Sequence, residues 1–196
     1  MSDTFEFTPE TLEIAKGYIA KYPEGRQASA VLPLLDLAQR QNDNYASDAV
    51  IDAVAAMLDM PRIRVVEVAS FYTMINTEPV GKYLLQFCTT TPCWLRDSGE
   101  VVDATKDHLG IDFGGTTEDG LFTMREVECL GACVNAPIVQ VNDDMYEDLT
   151  GPKMVELLDA LKAGRVPPHG SQTGRQTSAP IGGAQTLTDL DFAKAD

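Results

Sequence analysis

The four cysteines of the sequence lie in two close pairs, Cys88 with Cys93 and Cys129 with Cys133. Four residues separate the members of the first pair, and three separate those of the second. Two short pairs that are brought together by folding can place four thiolates around one point, which suits iron, zinc or an iron-sulfur cluster. The cysteines therefore predict an inorganic cofactor bound by both segments.

Several kinds of chemistry remain open for these pairs. A [2Fe-2S] cluster needs two thiolates on each iron, and two facing pairs would supply them. Structural zinc sites usually contain Cys-x2-Cys pairs, so the longer spacings favour the cluster over zinc without excluding zinc. A thioredoxin-type dithiol would also need a Cys-x-x-Cys, which neither pair provides. Buried cysteines with no chemical role would not be expected to gather in two loops.

Length and composition indicate a globular protein of a reducing compartment. With 196 residues, 44% of them hydrophobic, the chain can bury one substantial core, or one core and a small satellite. No apolar stretch is long enough to span a membrane, and the acidic N-terminus resembles neither a secretory signal nor a transit peptide. We therefore expect a compartment such as the bacterial cytosol, where paired cysteines are more often metal ligands or redox groups than disulfides.

The net charge of -15 argues against one class of partner. The phosphate backbone of a nucleic acid would be repelled, since no segregated basic patch is visible in the sequence. The acidic surface is explained by solubility alone or, more specifically, by docking against basic subunits.

The first 75 residues carry helical patterns. We expect a first helix capped by Thr8, a second over Ser29 to Gln41, a third capped by Ser47 and a fourth from Arg62 to about Ile75. The fourth segment is rich in Val, Phe and Tyr and would also suit a strand, although helix is favoured. This region has no motif with chemistry, so its expected role is packing or docking.

Both cysteine pairs follow predicted strands of a small α/β layer. Tyr83–Phe87 leads into Cys88, and Leu121–Val127 leads into Cys129. The other predicted elements are a helical stretch that begins at Thr91 or Ser98 and ends at Gly110, a hairpin of residues 137–142 and 145–148, and a helix from Thr150 to Gly164.

These patterns divide the chain into residues 1–78, 79–166 and 167–196. The last segment is dominated at its start by Gly, Ser, Thr, Gln and Pro and has few large apolar groups, so we expect a disordered tail. Its end carries Leu187, Leu190 and Phe192, which are candidates to anchor the tail on a partner.

Over about residues 8–165 the chain closely resembles the thioredoxin-like [2Fe-2S] subunit of respiratory complex I. The resemblance rests on four segments: Ser70-Phe-Tyr-Thr-Met74, Gly81-Lys-Tyr83, Cys88-Thr-Thr-Thr-Pro-Cys93-Trp-Leu-Arg96 and Glu126-Val-Glu-Cys129-Leu-Gly-Ala-Cys133-Val-Asn-Ala-Pro137. It implies an α+β fold, in which an N-terminal helical bundle precedes a thioredoxin-like [2Fe-2S] ferredoxin domain. The tail carries no motif of this family.

The resemblance also implies the cofactor and its ligands. Cys88 and Cys93 would hold one iron of a single [2Fe-2S] cluster, and Cys129 and Cys133 would hold the other. The chain would then be an electron-transfer subunit of an NADH:quinone oxidoreductase that exchanges single electrons with FMN on the adjacent, NADH-oxidising subunit. It would have no complete active site of its own.

The same resemblance implies the surroundings of the chain. Its partners would be the FMN- and NADH-binding subunit and the large iron-sulfur subunit, in a complex on the cytoplasmic side of the bacterial inner membrane. Neither nucleic acid nor direct membrane insertion would be involved. Two other functions stay open: the equivalent subunit of an NAD-linked hydrogenase or formate dehydrogenase, and a zinc-stabilised interaction module without a redox role.

Residues next to the cysteines are candidates to tune the cofactor. Hydroxyl donors aimed at its sulfurs would raise a reduction potential, and nearby carboxylates would lower it. Trp94 is expected either to shield the cofactor from water or to pack in the core. The candidate donors are Thr89, Thr90 and Thr91, and the candidate carboxylates are Glu126, Glu128, Asp143 and Asp144.

Overall fold

The computed structural model describes residues 4–183, 185, 186 and 188. They form two compact units, and the division falls between Lys82 and Tyr83. Among the described residues, no helix combines the length and the apolar character that crossing a membrane requires.

Four α-helices make up the first unit. They are α1 (Pro9–Ile19), α2 (Val31–Gln41), α3 (Asp48–Met57) and α4 (Arg62–Phe71), with a short 3-10 helix, Gln27–Ala30, before α2. The caps expected for α1 and α3 are present, because the Thr8 hydroxyl accepts from the Thr11 N–H and the Ser47 hydroxyl accepts from the Val50 N–H. The fourth segment is helical, as favoured from its sequence, but it ends at Phe71.

Apolar side chains from all four helices share one core in this unit. The most deeply buried of them are Ala15, Leu34, Leu35, Val50, Val54 and Val65. Gln39 on α2 ties the segment after α4 to this core, since its amide donates to the Met74 carbonyl at 2.9 Å and accepts from the Asn76 N–H at 3.0 Å. These bonds satisfy polar groups that burial would otherwise leave unpaired.

A five-stranded mixed sheet organises the described part of the second unit. Its strands are β1 (Tyr83–Cys88), β2 (Phe122–Val127), β3 (Val139–Val141), β4 (Asp144–Glu147) and β5 (Gly170–Ser171), in the spatial order β2-β1-β3-β4-β5. β1 pairs parallel with β2 and antiparallel with β3, while β4 pairs antiparallel with β3 and parallel with β5. β1 is therefore flanked on both sides, and five of its six residues are buried.

In the described part of this unit, three α-helices accompany the sheet: α5 (Thr91–Trp94), α6 (Ser98–Leu109) and α7 (Gly151–Lys162). The sequence predicted a single helical stretch beginning at Thr91 or at Ser98, whereas the structure has a helix at each position. Asp97 separates them with a left-handed backbone at φ 62°. α6 and α7 pack closely at Gly151, where an added Cβ would lie 3.2 Å from that of Ala104.

The beginning of the C-terminal tail makes specific contacts with the rest of the second unit. β5 pairs with β4, the Tyr146 hydroxyl donates to the Pro167 carbonyl at 3.0 Å, and the Lys153 ammonium donates to the Gln172 carbonyl. Composition cannot reveal these contacts, because each depends on a segment that is distant in sequence. The three expected anchor residues, Leu187, Leu190 and Phe192, lie outside the described residues.

Candidate metal centre

The parallel pairing of β1 and β2 brings both cysteine segments to the same edge of the sheet. Cys88 is the last residue of β1 and lies in register with Val127, the last residue of β2. Cys129 follows two residues later. Because parallel strands end at a common edge, two segments that are 41 residues apart in sequence become neighbours.

The first pair is held inside the protein. Cys88 is 1% exposed and Cys93 is fully buried. The short helix α5 carries Cys93, with Pro92 in its first turn, and so returns the chain towards the end of β1. The two side chains belong to one buried cluster with Ala136 and Ile138. This pair is consequently shielded from water by its own chain.

The second pair lies nearer to solvent. Cys129 is exposed and Cys133 is partly exposed, and their sulfur atoms are 3.3 Å apart. Gly131 allows the tight turn between them, since its φ of 87° belongs to the left-handed region, and its N–H donates to the Cys129 sulfur at 3.4 Å. A short 3-10 helix, Cys133–Asn135, then leads the chain away.

The two pairs face each other. Leu130 and Ala132, which lie between Cys129 and Cys133, pack against the buried cluster that contains Cys88 and Cys93. Electrostatic repulsion from Cys133 acts on Cys93, and repulsion from Cys88 acts on Cys133. Among the described residues, no three His, Cys, Asp or Glu side chains converge tightly enough to hold a single metal ion.

Proximity of the thiols shifts their pKa values. Burial, the hydrogen bond with Cys88 and the charges of Cys88 and Cys133 together raise the pKa of Cys93 to about 12. The hydrogen bond with Cys129, burial and the charges of Cys129 and Cys88 raise the pKa of Cys133. Burial also acts to raise the pKa of Cys88, but hydrogen bonds from Thr90, Cys93 and Leu130 outweigh it and leave that pKa below its ordinary value. Sulfur charges that oppose one another in this way are relieved by a bound metal cation, so the donor set fits a metal-containing cofactor.

The three threonines expected as hydroxyl donors make different contacts. Thr90 lies 3.2 Å from the Cys88 sulfur through its hydroxyl oxygen. Thr89 instead donates to the Glu126 carboxylate at 2.6 Å. Thr91 is the first residue of α5. Of these three threonines, Thr90 is thus the one whose observed bond reaches a cysteine sulfur.

Two of the carboxylates expected beside the cysteines, Asp143 and Asp144, do not lie there. Asn142, just before Asp143 and Asp144, donates its N–H to the Leu84 carbonyl near the start of β1. Cys88 lies four residues further along that strand, a span of roughly 13 Å at the usual rise of an extended chain. The turn is therefore at the other end of β1 from the cysteines. Glu126 and Glu128, by contrast, are exposed at the cysteine end.

Trp94 does not pack in the core of this chain, because its side chain is 68% exposed. Leu95 and Val134, each next to a cysteine segment, are 67% exposed. The sequence analysis did not single out these last two residues, since an apolar residue after a buried helix turn ordinarily packs inward. Each of these three exposed apolar side chains stands within two residues of a cysteine in sequence.

The sequence analysis also missed a polar network behind the second pair. Arg175, in the tail, donates to the Val134 carbonyl at 3.0 Å, to the Asn135 side-chain oxygen at 2.7 Å and to the Asp148 carboxylate at 3.0 Å. No signal in the sequence pointed to Arg175, because it stands among residues typical of disorder.

Similarity to known proteins agrees with this architecture. The model of the thioredoxin-like [2Fe-2S] ferredoxin family matches residues 15–162. A subunit of the NADH-quinone oxidoreductase of Rickettsia felis is 54% identical over 159 residues, which cover 81% of this chain and 95% of that protein. The mitochondrial NADH dehydrogenase [ubiquinone] flavoprotein 2 of Dictyostelium discoideum is 48% identical over 185 residues, covering 94% of this chain and 75% of the relative.

A solved structure shares the fold. The crystal structure of an NAD+-reducing [NiFe]-hydrogenase in the air-oxidised state superposes with a TM-score of 0.58 at 18% identity, over 66% of this chain and 23% of the hydrogenase chain. At this identity the likeness concerns the fold alone. The match of the family model over residues 15–162, with the close relatives, shows that the chain belongs to the thioredoxin-like [2Fe-2S] ferredoxin family.

Proposed function

We propose that this chain is the electron-transfer subunit of an NADH:quinone oxidoreductase and carries one [2Fe-2S] cluster. The observation that carries the proposal is the meeting of both cysteine segments at one edge of the sheet, with Cys88 and Cys93 in one buried cluster and the Cys129 and Cys133 sulfurs 3.3 Å apart. The relatives that are about half identical over most of this chain are named as components of such an oxidoreductase.

Four cysteines would hold the cluster. Cys88 and Cys93 would ligate one iron, and Cys129 and Cys133 the other, because the members of each pair lie together and the second segment packs against the first pair. When bound, the cluster would supply a centre that gains and loses one electron. The chain itself provides no bond-making group in this step.

The surroundings of the four sulfurs have their own role in that function. The Thr90 hydroxyl lies within hydrogen-bond distance of the Cys88 sulfur, and the Gly131 N–H donates to the Cys129 sulfur. Such donors stabilise the more negative, reduced form. Burial of Cys88 and Cys93 excludes water from the inner side. Burial disfavours added charge and opposes the donors, so the balance between them sets the potential.

The partners proposed for this chain follow from the same function. FMN and NADH would be bound by an adjacent subunit, and a large iron-sulfur subunit would complete the contact. Exposed Trp94, Leu95 and Val134 beside the site give an apolar surface of the kind that a partner covers. The N-terminal helices would act as a docking bundle. The complex would lie on the cytoplasmic side of the bacterial inner membrane.

A second host complex is supported by one observation. The fold shared with an NAD+-reducing [NiFe]-hydrogenase suits an equivalent subunit in such an enzyme. The relatives with about 54% identity favour the NADH:quinone oxidoreductase instead. The subunits that co-purify with the chain from its own cell distinguish the two, since a hydrogenase large subunit would replace the quinone-reducing module.

The cofactor is tested on the full chain purified without oxygen. We expect a brown protein with two irons and two acid-labile sulfides per chain, and a paramagnetic resonance signal that develops on reduction. A colourless chain with stoichiometric zinc and no iron would instead establish the zinc-stabilised interaction module and end the redox proposal.

A further inference from the structure

A segment of the tail, the strap Gly170–Thr177, lies against the second cysteine segment. Gly170 pairs with Tyr146, Ser171 pairs with Glu147, and the Gln172 N–H donates to the Glu147 carbonyl at 2.9 Å. The strap lies beyond residue 162, where the match to the family model ends. The proposed function does not use this segment.

Arg175 fastens the strap from within. The side chains of Arg175 and Asp148 are 7% and 5% exposed and form an ion pair at 3.0 Å. The other Asp148 oxygen accepts from the Ser171 hydroxyl at 2.7 Å. Asp148 thus neutralises the guanidinium while the strap supplies a further hydrogen bond to the carboxylate.

The same guanidinium reaches the chain immediately after Cys133. One terminal nitrogen of Arg175 donates both to the Val134 carbonyl, at 3.0 Å, and to the Asn135 side chain, at 2.7 Å. Asn135 in turn donates to the Thr177 carbonyl at 2.8 Å. The backbone carbonyl of Asn135 accepts from the Asp148 N–H at 2.7 Å. The turn Cys133–Asn135 is held both by the strap and by the residue that follows β4.

The geometry of this contact selects arginine. The Arg175 Nε is buried and, within the described part of the chain, has no hydrogen-bond partner. Leaving a buried donor unpaired is unfavourable, so Nε does not favour this position of the side chain. The acceptors bound by the two terminal nitrogens set it instead. A lysine carries a single ammonium and cannot present the same planar pair of nitrogens to the turn and to Asp148.

We propose that Arg175 is a positioning residue for Cys133. By fixing the carbonyl of Val134 and the side chain of Asn135, it sets the place of the turn that presents the Cys133 sulfur to the metal. This inference rests on the proposed function, because it takes Cys133 as a ligand. It adds that the tail takes part in holding the cluster.

The test compares variants of the full, cluster-loaded chain. These variants separate the loss of the Arg175 contacts from the loss of the ion partner of Asp148. Arg175→Gln removes the contacts and leaves Asp148 buried without its ion partner. The double variant Asp148→Asn with Arg175→Gln removes the contacts but leaves no unpaired charge. Arg165→Gln, which alters an exposed arginine of the same unit, is the matched control.

Two quantities are measured in each variant, namely the rate of iron release to a chelator and the melting temperature. We expect release to be about ten-fold faster than in the parent chain in both Arg175 variants, the usual scale for groups that orient metal ligands. The melting temperature should recover in the double variant relative to Arg175→Gln, while the release rate should not. The Arg165→Gln chain should match the parent in both.

Other outcomes overturn the inference. If the double variant releases iron at the parental rate, Arg175 only balances Asp148 and does not position the ligand. Failure of both Arg175 variants to fold would also refute it, since the strap would then serve the fold as a whole. A parent chain that contains two irons and two sulfides, with release unchanged in Arg175→Gln, would remove the inference and leave the proposed function intact. A parent chain that holds zinc and no iron would remove both.

Discussion

Cysteine residues with the same proposed role stand in different surroundings at the two sides of the site. Cys88 and Cys93 are buried, whereas Cys129 is exposed and Cys133 partly so. Loss of a buried thiol disturbs packing as well as ligation, while loss of an exposed thiol affects ligation alone. Single substitutions can therefore separate the two effects.

Replacing Cys129 by Ser should abolish or alter the cluster spectrum and leave helical content intact. In the metal-free chain, we expect the free energy of unfolding to change by less than about 0.5 kcal/mol, because the side chain is exposed. Cys93→Ser should lower the same quantity by about 1–3 kcal/mol, since a hydroxyl would be buried where the thiol is now. Denaturant unfolding followed by circular dichroism measures both. An unaltered visible spectrum in Cys129→Ser would refute that ligand.

The Thr90 hydroxyl gives a second prediction at this scale. Thr90→Val removes a hydrogen bond to the Cys88 sulfur and should lower the midpoint potential of the cluster. A difference of about 1 kcal/mol between the two redox states corresponds to roughly 40 mV for one electron. Thr90 makes no side-chain cap to α5, so the helix should survive the change.

Thr89→Val is the matched control for this redox titration. Its hydroxyl bonds to Glu126 and not to a cysteine, so the midpoint potential should move less than in Thr90→Val. Equal shifts in the two variants would show that the threonines act through the general polarity of the loop.

At the scale of elements, β1 is the strand on which the site depends. Leu85 is fully buried in this strand, which pairs with β2 on one side and β3 on the other. Leu85→Ala should reduce the free energy of unfolding by about 2–5 kcal/mol, the range observed for deletions in well-packed cores. Leu95→Ala, at an exposed position, should change it by less than about 0.5 kcal/mol. Urea denaturation of the isolated chain measures the free energy of unfolding of both variants. Similar losses in the two would contradict the view that β1 is the strand on which the site depends.

Local patterns in the sequence predicted most of these elements. The caps at Thr8, Ser47 and Thr150 were visible because a helix start depends on a few adjacent residues. The strands that lead into Cys88 and Cys129 were visible for a similar reason. Their pairing in parallel was not a property of either segment, yet that pairing is what joins the two cysteine segments.

The remaining features depended on contacts between distant residues. The register of β3 against β1 moves Asp143 and Asp144 away from the cysteines, although they stand only about ten residues beyond Cys133 in sequence. Arg175 meets Asn135 across 40 residues. Neither arrangement has a local signature, so the candidate ligands could be found from sequence but the groups that orient them could not.

At the scale of the whole molecule, the chain consists of two units with separate cores. All four cysteines and the strands that position them belong to the second unit. We therefore predict that residues 83–196, expressed without residues 1–82, still acquire iron and sulfide. Metal analysis and visible absorbance test this, with Cys129→Ser in the same fragment as control. A folded fragment without iron would mean that the first unit is needed for the site.

The unequal exposure of the two cysteine pairs determines when oxygen can harm this protein. Before metal is loaded, Cys129 is exposed and Cys133 partly exposed, and their sulfurs are 3.3 Å apart. A small movement of their loop would bring the sulfurs to the roughly 2 Å of a disulfide. The buried pair is protected from the same reaction. Oxidation would thus remove two of the four proposed ligands at once. The chain is therefore most vulnerable in the interval between folding and the loading of metal.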